Sequence, residues 1–125
     1  MVFNQANFSF DLSVADLYYS LSNGHTLVSL DSHETDLVEI LKVFKDERIN
    51  VAFLTPTFIK LCLLAEDFNE KNLNDLKCIY FCGECLEVKT VCKLYEAFPN
   101  LEIINAYGPT EATSAISAIN ITKDM

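Results

Sequence analysis

Hydrophobic positions along the chain alternate between two rhythms. Val14, Leu17, Tyr18 and Leu21 recur at helical spacing, predicting a helix that starts near Ser13, takes Asp11 as its cap and ends at Gly24. The run TLVSL (26–30) then predicts a strand. Leu37, Ile40, Leu41 and Phe44 mark a helix over 34–47, and NVAFL (50–54) is a nearly continuous apolar strand. Pro56 suits the first turn of a helix whose stripe is Phe58, Leu61, Cys62 and Ala65. After the polar connector NEKNLND (69–75), KCIYFC (77–82) is a strand, and Val88, Val91, Cys92 and Tyr95 form another helix face. LEIINA (101–106) is a strand followed by the loop YGPTE (107–111). The tail SAISAINIT is β-like, with no obvious partner, and no element is predicted before Asp11.

Strands that alternate with helices, and that are apolar on both faces, imply an α/β fold. The expected architecture is a mostly parallel, Rossmann-like or flavodoxin-like sheet flanked by helices on both faces. Ligands of such sheets bind beyond the carboxyl ends of the strands. That edge should carry three stretches: TPT (55–57), CGEC (82–85) and AYGPTEAT (106–113).

Charge narrows the functions. The net charge is −9, from 18 acids and 9 bases, with no basic stripe to neutralise phosphates, which argues against nucleic-acid binding. A nucleotide held by backbone N–H groups and a metal ion remains compatible with an acidic chain. No apolar run approaches a membrane span, and MVFNQANFSF lacks the features of a signal peptide, so membrane insertion is not expected. Five cysteines, with Cys62 and Cys92 on helix faces and Cys78 in a strand, suggest small buried hydrophobes in a reducing, cytoplasmic setting.

The pair Cys82 and Cys85 stands between a strand and a helix, the local context of a thioredoxin-type redox site. Zinc is less well supported, because His25 and His33 sit in polar turns without ligand spacing to any cysteine and read as solvated loop residues. A pair of unrelated thiols at the sheet edge is the plain alternative.

NAYGPTEAT (105–113) resembles the nucleotide-binding motif of adenylate-forming enzymes, in particular amino-acid adenylation domains. FSFDLSV (8–14) resembles the motif that precedes it there, and FCGE (81–84) the loop between the two. The resemblance runs from about Asn7 to Lys123. Cys82, immediately before Gly-Glu, is similar to the hallmark of the branch that activates D-alanine for teichoic acid esterification; peptide-synthetase domains for other small amino acids are the alternative.

The resemblance implies a reaction with two steps. The carboxylate of D-alanine attacks the α-phosphate of ATP, and the acyl group then passes to the phosphopantetheine thiol of a carrier protein. It assigns Thr110 and Glu111 as the catalytic pair, Thr110 on the α-phosphate and Glu111 on Mg²⁺, a hard cation that prefers oxygen. Gly83, Glu84, Asn105, Ala106, Tyr107, Gly108 and Pro109 would complete the ATP site, Tyr107 lying flat against adenine. Asp11 would pair with the amino-acid ammonium. Cys82 would limit the space around its α-carbon and methyl group, with Ser114 and Ala115 on the pocket wall. Leu12, Ala15 and Tyr80 align with further pocket positions.

The family's phosphate loop, its ribose-binding aspartate and its C-terminal catalytic lysine are not in this sequence. Residues 1–125 are therefore expected to be the central subdomain of a longer protein's N-terminal AMP-binding domain. The isolated piece is expected to be inactive and prone to self-association through apolar surface.

Overall fold

The structure is a computed structural model that describes residues 1–4, 12–30, 36–107 and 117–124. Ten elements follow in the order β1 (Val2–Asn4), α1 (Leu12–Asn23), β2 (Leu27–Ser29), α2 (Leu37–Asp46), β3 (Val51–Leu54), α3 (Pro56–Cys62), β4 (Cys78–Phe81), α4 (Val88–Ala97), β5 (Glu102–Tyr107) and β6 (Ser117–Ile121). The strands form one sheet in the order β2-β1-β3-β4-β5-β6. Every pairing is parallel except β5 with β6. The flavodoxin-like expectation holds, with an antiparallel strand added at one edge.

One strand was not foreseen. β1 has only three residues, too few to show a period, yet it is central, pairing with β2 through Val2–Leu27 and with β3 through Val2–Val51. Its side chains are buried: Phe3 is fully covered, with ring centroids 4.6 Å from Phe44 and 6.0 Å from Phe58. Two other boundaries moved. Tyr107 ends β5 rather than opening a loop, and the β-like tail pairs back on β5, with Ala118 opposite Ala106.

The two faces of the sheet are covered unequally. Right-handed crossovers place α2, α3 and α4 on one face, because β2-to-β3, β3-to-β4 and β4-to-β5 all step the same way across the sheet. There Ala52, Leu54, Ile79, Phe81 and Ile103 join Phe44, Ile59, Leu94 and Phe98 in the main core. The step from β1 to β2 runs the other way and puts α1 alone on the second face. On that face Val51, Cys78 and Glu102 stand in one row, and Phe53, Tyr80 and Ile104 in the next. With Tyr19 they line a trough of about 540 Å³, and Phe53 packs between Tyr19 (5.6 Å) and Tyr80 (5.0 Å).

α1 is also rotated relative to the stripe expected of it. Ser20 is buried and Leu17 half-buried, whereas Tyr18 and Leu21 are 64% and 68% exposed. Two members of the expected apolar stripe, Tyr18 and Leu21, thus face solvent. Val88 and Cys92, placed on an apolar face of α4 by their spacing, are exposed as well; Thr90 and Leu94 turn inward instead. Gly24, at φ +67°, does end α1, and the His25 N–H donates to the Ser20 carbonyl across it. No helix among the described residues is long and apolar enough to cross a membrane.

Candidate functional site

Because β1, β3, β4 and β5 are parallel, their carboxyl ends form one rim. Leu54, Phe81 and Asn105 stand level in neighbouring strands. Thr55, Cys82 and Ala106 follow one residue later, so 55–57, 82–85 and the described part of the third stretch, 106–107, meet at this edge; the rest of that stretch, 108–113, lies outside the described residues. Cys82 and Ala106 are 2% and 5% exposed, which makes the middle of the rim tightly packed and narrow.

Gly83 follows at φ +94°, a conformation that an L-residue adopts only under strain, and it turns the chain sharply off the end of β4. The turn carries Glu84 across to α3. Thr57 donates its backbone N–H (3.0 Å) and its hydroxyl to the Glu84 carboxylate. Thr55 caps the same helix, accepting from the Phe58 N–H at 3.3 Å, and Pro56 has no N–H to offer. The first-turn donors of α3 are thus taken up by the protein's own oxygens, so the TPT stretch shapes the rim and is not a free anion cradle. Replacing Glu84 with alanine is expected to cost about 1 kcal/mol, the usual worth of a cap, read from the urea midpoint. An unchanged midpoint would mean that the bridge does not form in solution.

Asn105 is half-buried and, by strand alternation, shares the face of Ile103 rather than that of Ala106. Tyr80, two residues before Cys82, lines the trough on the open face; burial, and then the nearby Cys82, push its phenol above the ordinary range. Asp11, Gly108, Pro109, Thr110, Glu111, Ser114 and Ala115 lie outside the described residues. α1 begins at Leu12, directly after Asp11, and β5 ends at Tyr107, directly before Gly108. The described end of β5, at Tyr107, thus stands at the rim that holds Cys82. His25 is exposed and stacks on Tyr19 at 5.6 Å, while His33 lies outside the described residues.

The thiols separate by environment. Burial pushes Cys62 up to about 12, and burial together with Glu102 pushes Cys78 up to about 11. No disulfide is formed, and Cys82 is buried while Cys85 is exposed. In a thioredoxin-type pair the first thiol is the exposed, attacking one, and here the first, Cys82, is the buried one, so the arrangement is the reverse of what that chemistry uses. Native alkylation at neutral pH is expected to label Cys85 and Cys92 and to spare Cys62 and Cys78 until denaturant is added. Peptide mass spectrometry reads this directly, and early labelling of Cys62 would contradict the burial. Among the described residues, no group of three His, Cys, Asp or Glu side chains is placed to hold a metal ion.

Comparison with known proteins agrees with this geometry. A "D-alanine--D-alanyl carrier protein ligase" of Listeria monocytogenes serotype 4a is 46% identical over 98% of this chain, which corresponds to 24% of that protein. The chain thus spans about a quarter of the length of the curated relatives it matches. Among solved structures, the Vibrio cholerae adenylation domain AlmE, in complex with glycyl-adenosine-5'-phosphate, superposes with TM-score 0.84 at 29% identity, covering 97% of this chain and 22% of that one. A peptide-synthetase protein containing adenylation and PCP domains, bound to a vinylsulfonamide inhibitor, gives 0.84 at 25%, covering 99% and 21%. With the model of the AMP-binding enzyme family matched over residues 1–125, the chain belongs to the AMP-binding enzymes.

Proposed function

We propose that this chain is the central subdomain of the N-terminal AMP-binding domain in an ATP-dependent ligase that activates D-alanine as an acyl adenylate and delivers it to a carrier protein. The observation that carries this reading is the 46% identity to a D-alanine--D-alanyl carrier protein ligase across nearly the whole chain, all three motifs included.

The first step joins two anions, a carboxylate and a polyphosphate, so acceleration must come from positioning and charge stabilisation. Asp11 holds the ammonium of the amino acid and fixes where its carboxylate points. Cys82 forms the floor of the pocket and limits the space around the α-carbon and methyl group; its burial, with that of Ala106, supports a small substrate. Tyr107 offers a face to adenine, with Gly83, Glu84, Asn105 and Ala106 along the strand ends beside it. Gly108 and Pro109 bring the backbone close to the nucleotide, and the Thr110 hydroxyl donates to the α-phosphate. Ser114 and Ala115 close the wall. The oxygen donor at Glu111 suits Mg²⁺, which when bound neutralises phosphate charge.

The motif stretches 8–14, 81–84 and 105–113 contain no Lys or Arg. Cations for the β- and γ-phosphates must come from elsewhere in the longer protein, so the isolated chain does not adenylate. Its uncovered trough and the exposed Tyr18 and Leu21 favour self-association in its absence.

The test is ATP–pyrophosphate exchange by the longer protein with D-alanine, L-alanine and glycine in parallel. D-alanine is expected to support the fastest exchange. Preference for glycine or an L-amino acid would replace this reading with an adenylation domain for another small amino acid. Exchange by residues 1–125 alone would overturn the fragment reading.

A further inference from the structure

Basic residues are scarce in this chain, and they are not evenly spread. Three of the nine, Lys60, Lys89 and Lys93, line a single groove between α3 and α4, accompanied by one acid, Glu87. The groove holds about 320 Å³, and Leu63, Leu64 and Thr90 complete its lining. Leu64 is 75% exposed, and Val88, next to Glu87 and Lys89 in the chain, is 76% exposed. Lys60 reaches Glu87 at 2.7 Å, which leaves Lys89 and Lys93, one turn apart on α4, as the groove's outward cations.

The groove is joined to the site already described. Glu87 is the N-cap of α4 and closes the 82–87 turn, whose Glu84 grips Thr57 on α3. Both bridges tie the same loop to the same helix, so the groove opens where the rim ends.

We propose that the α3–α4 groove is a docking surface for an acidic helix of the carrier protein that receives the acyl group; this rests on the ligase reading above. The argument is charge complementarity. A chain of net charge −9 repels an acidic partner over most of its surface, and a local cluster of three lysines against one glutamate is where such a partner can approach. Exposed Leu64, which lines the groove, gives an amphipathic helix an apolar contact beside the charges. A carrier seated there stands beside the rim at which its thiol must arrive. The names of the relatives state that a carrier protein is their substrate, and they leave the place where it sits open.

The experiment uses the intact ligase containing this segment and its own phosphopantetheinylated carrier. Lys89→Glu combined with Lys93→Glu is expected to raise the KM for carrier on the order of tenfold at low salt, with D-alanine-dependent pyrophosphate exchange unchanged. Added salt should shrink the difference by weakening the parent. The milder pair Lys89→Gln and Lys93→Gln should give a smaller rise in the same direction. Lys42→Glu with Lys45→Glu, on α2, should leave the carrier KM where it was. An unchanged KM in the α4 variants, or an equal rise in the α2 variant, overturns the docking site while the ligase reading stands. Loss of exchange in the parent protein itself removes the ligase reading, and the docking site with it.

Discussion

Replacing Phe3 with alanine is expected to cost about 3–5 kcal/mol, the range for truncating a fully buried aromatic. Phe3 sits at the middle of the three-residue strand β1, fully covered, with Phe44 of α2 and Phe58 of α3 against its ring. β1 also holds β2 on the sheet, because among the described residues β2 pairs with no other strand. The loss is a large share of the 5–15 kcal/mol typical of a domain, so the variant should unfold at a much lower urea concentration. Phe3→Leu, which keeps most of the volume, should recover more than half of the loss. A Phe3→Ala midpoint close to the parent's would show that β1 is not a central strand.

On the proposed function, replacing Asp11 with asparagine in the longer protein is expected to lower kcat/KM for the amino acid by on the order of a hundredfold to a thousandfold, because the ammonium assigned to Asp11 would lose its charged partner. Asn keeps the size and one acceptor oxygen, so helix capping ahead of α1 survives and stability should barely move. That separates the two duties one carboxylate can have at this position, ammonium partner and helix cap. The KM for ATP should stay near the parent value. If the amino-acid kcat/KM falls less than tenfold, the ammonium partner lies elsewhere.

The site was legible where chemistry is local and illegible where it depends on neighbours. FCGE and NAYGPTEAT could be found as strings, and parallel strands were enough to bring the first and the Asn105–Tyr107 start of the second to one rim. The partner of Glu84 could not be found that way. Thr57 is 27 residues distant, and only the parallel alignment of β3 and β4 sets the two side by side. Cys82 and Cys85 look equivalent in sequence, yet one is buried directly after β4 and the other lies past a left-handed glycine in solvent. The lysines of the α3–α4 groove carried no signal at all, since Lys60 is separated from Lys89 and Lys93 by an entire strand and loop.

Hydrophobic spacing by itself determined the order of helices and strands from α1 to β5, the mostly parallel sheet and the strings that mark the rim, because each depends on residues within a few positions of one another. Only the tertiary structure decided that β1 is central, that β6 folds back on β5, and that α1 shows Tyr18 and Leu21 to solvent. Three residues have no measurable period, and an amphipathic stripe does not say what will cover it. Burial of such segments is conferred by strands and helices distant in sequence, and no local pattern encodes which of them will arrive.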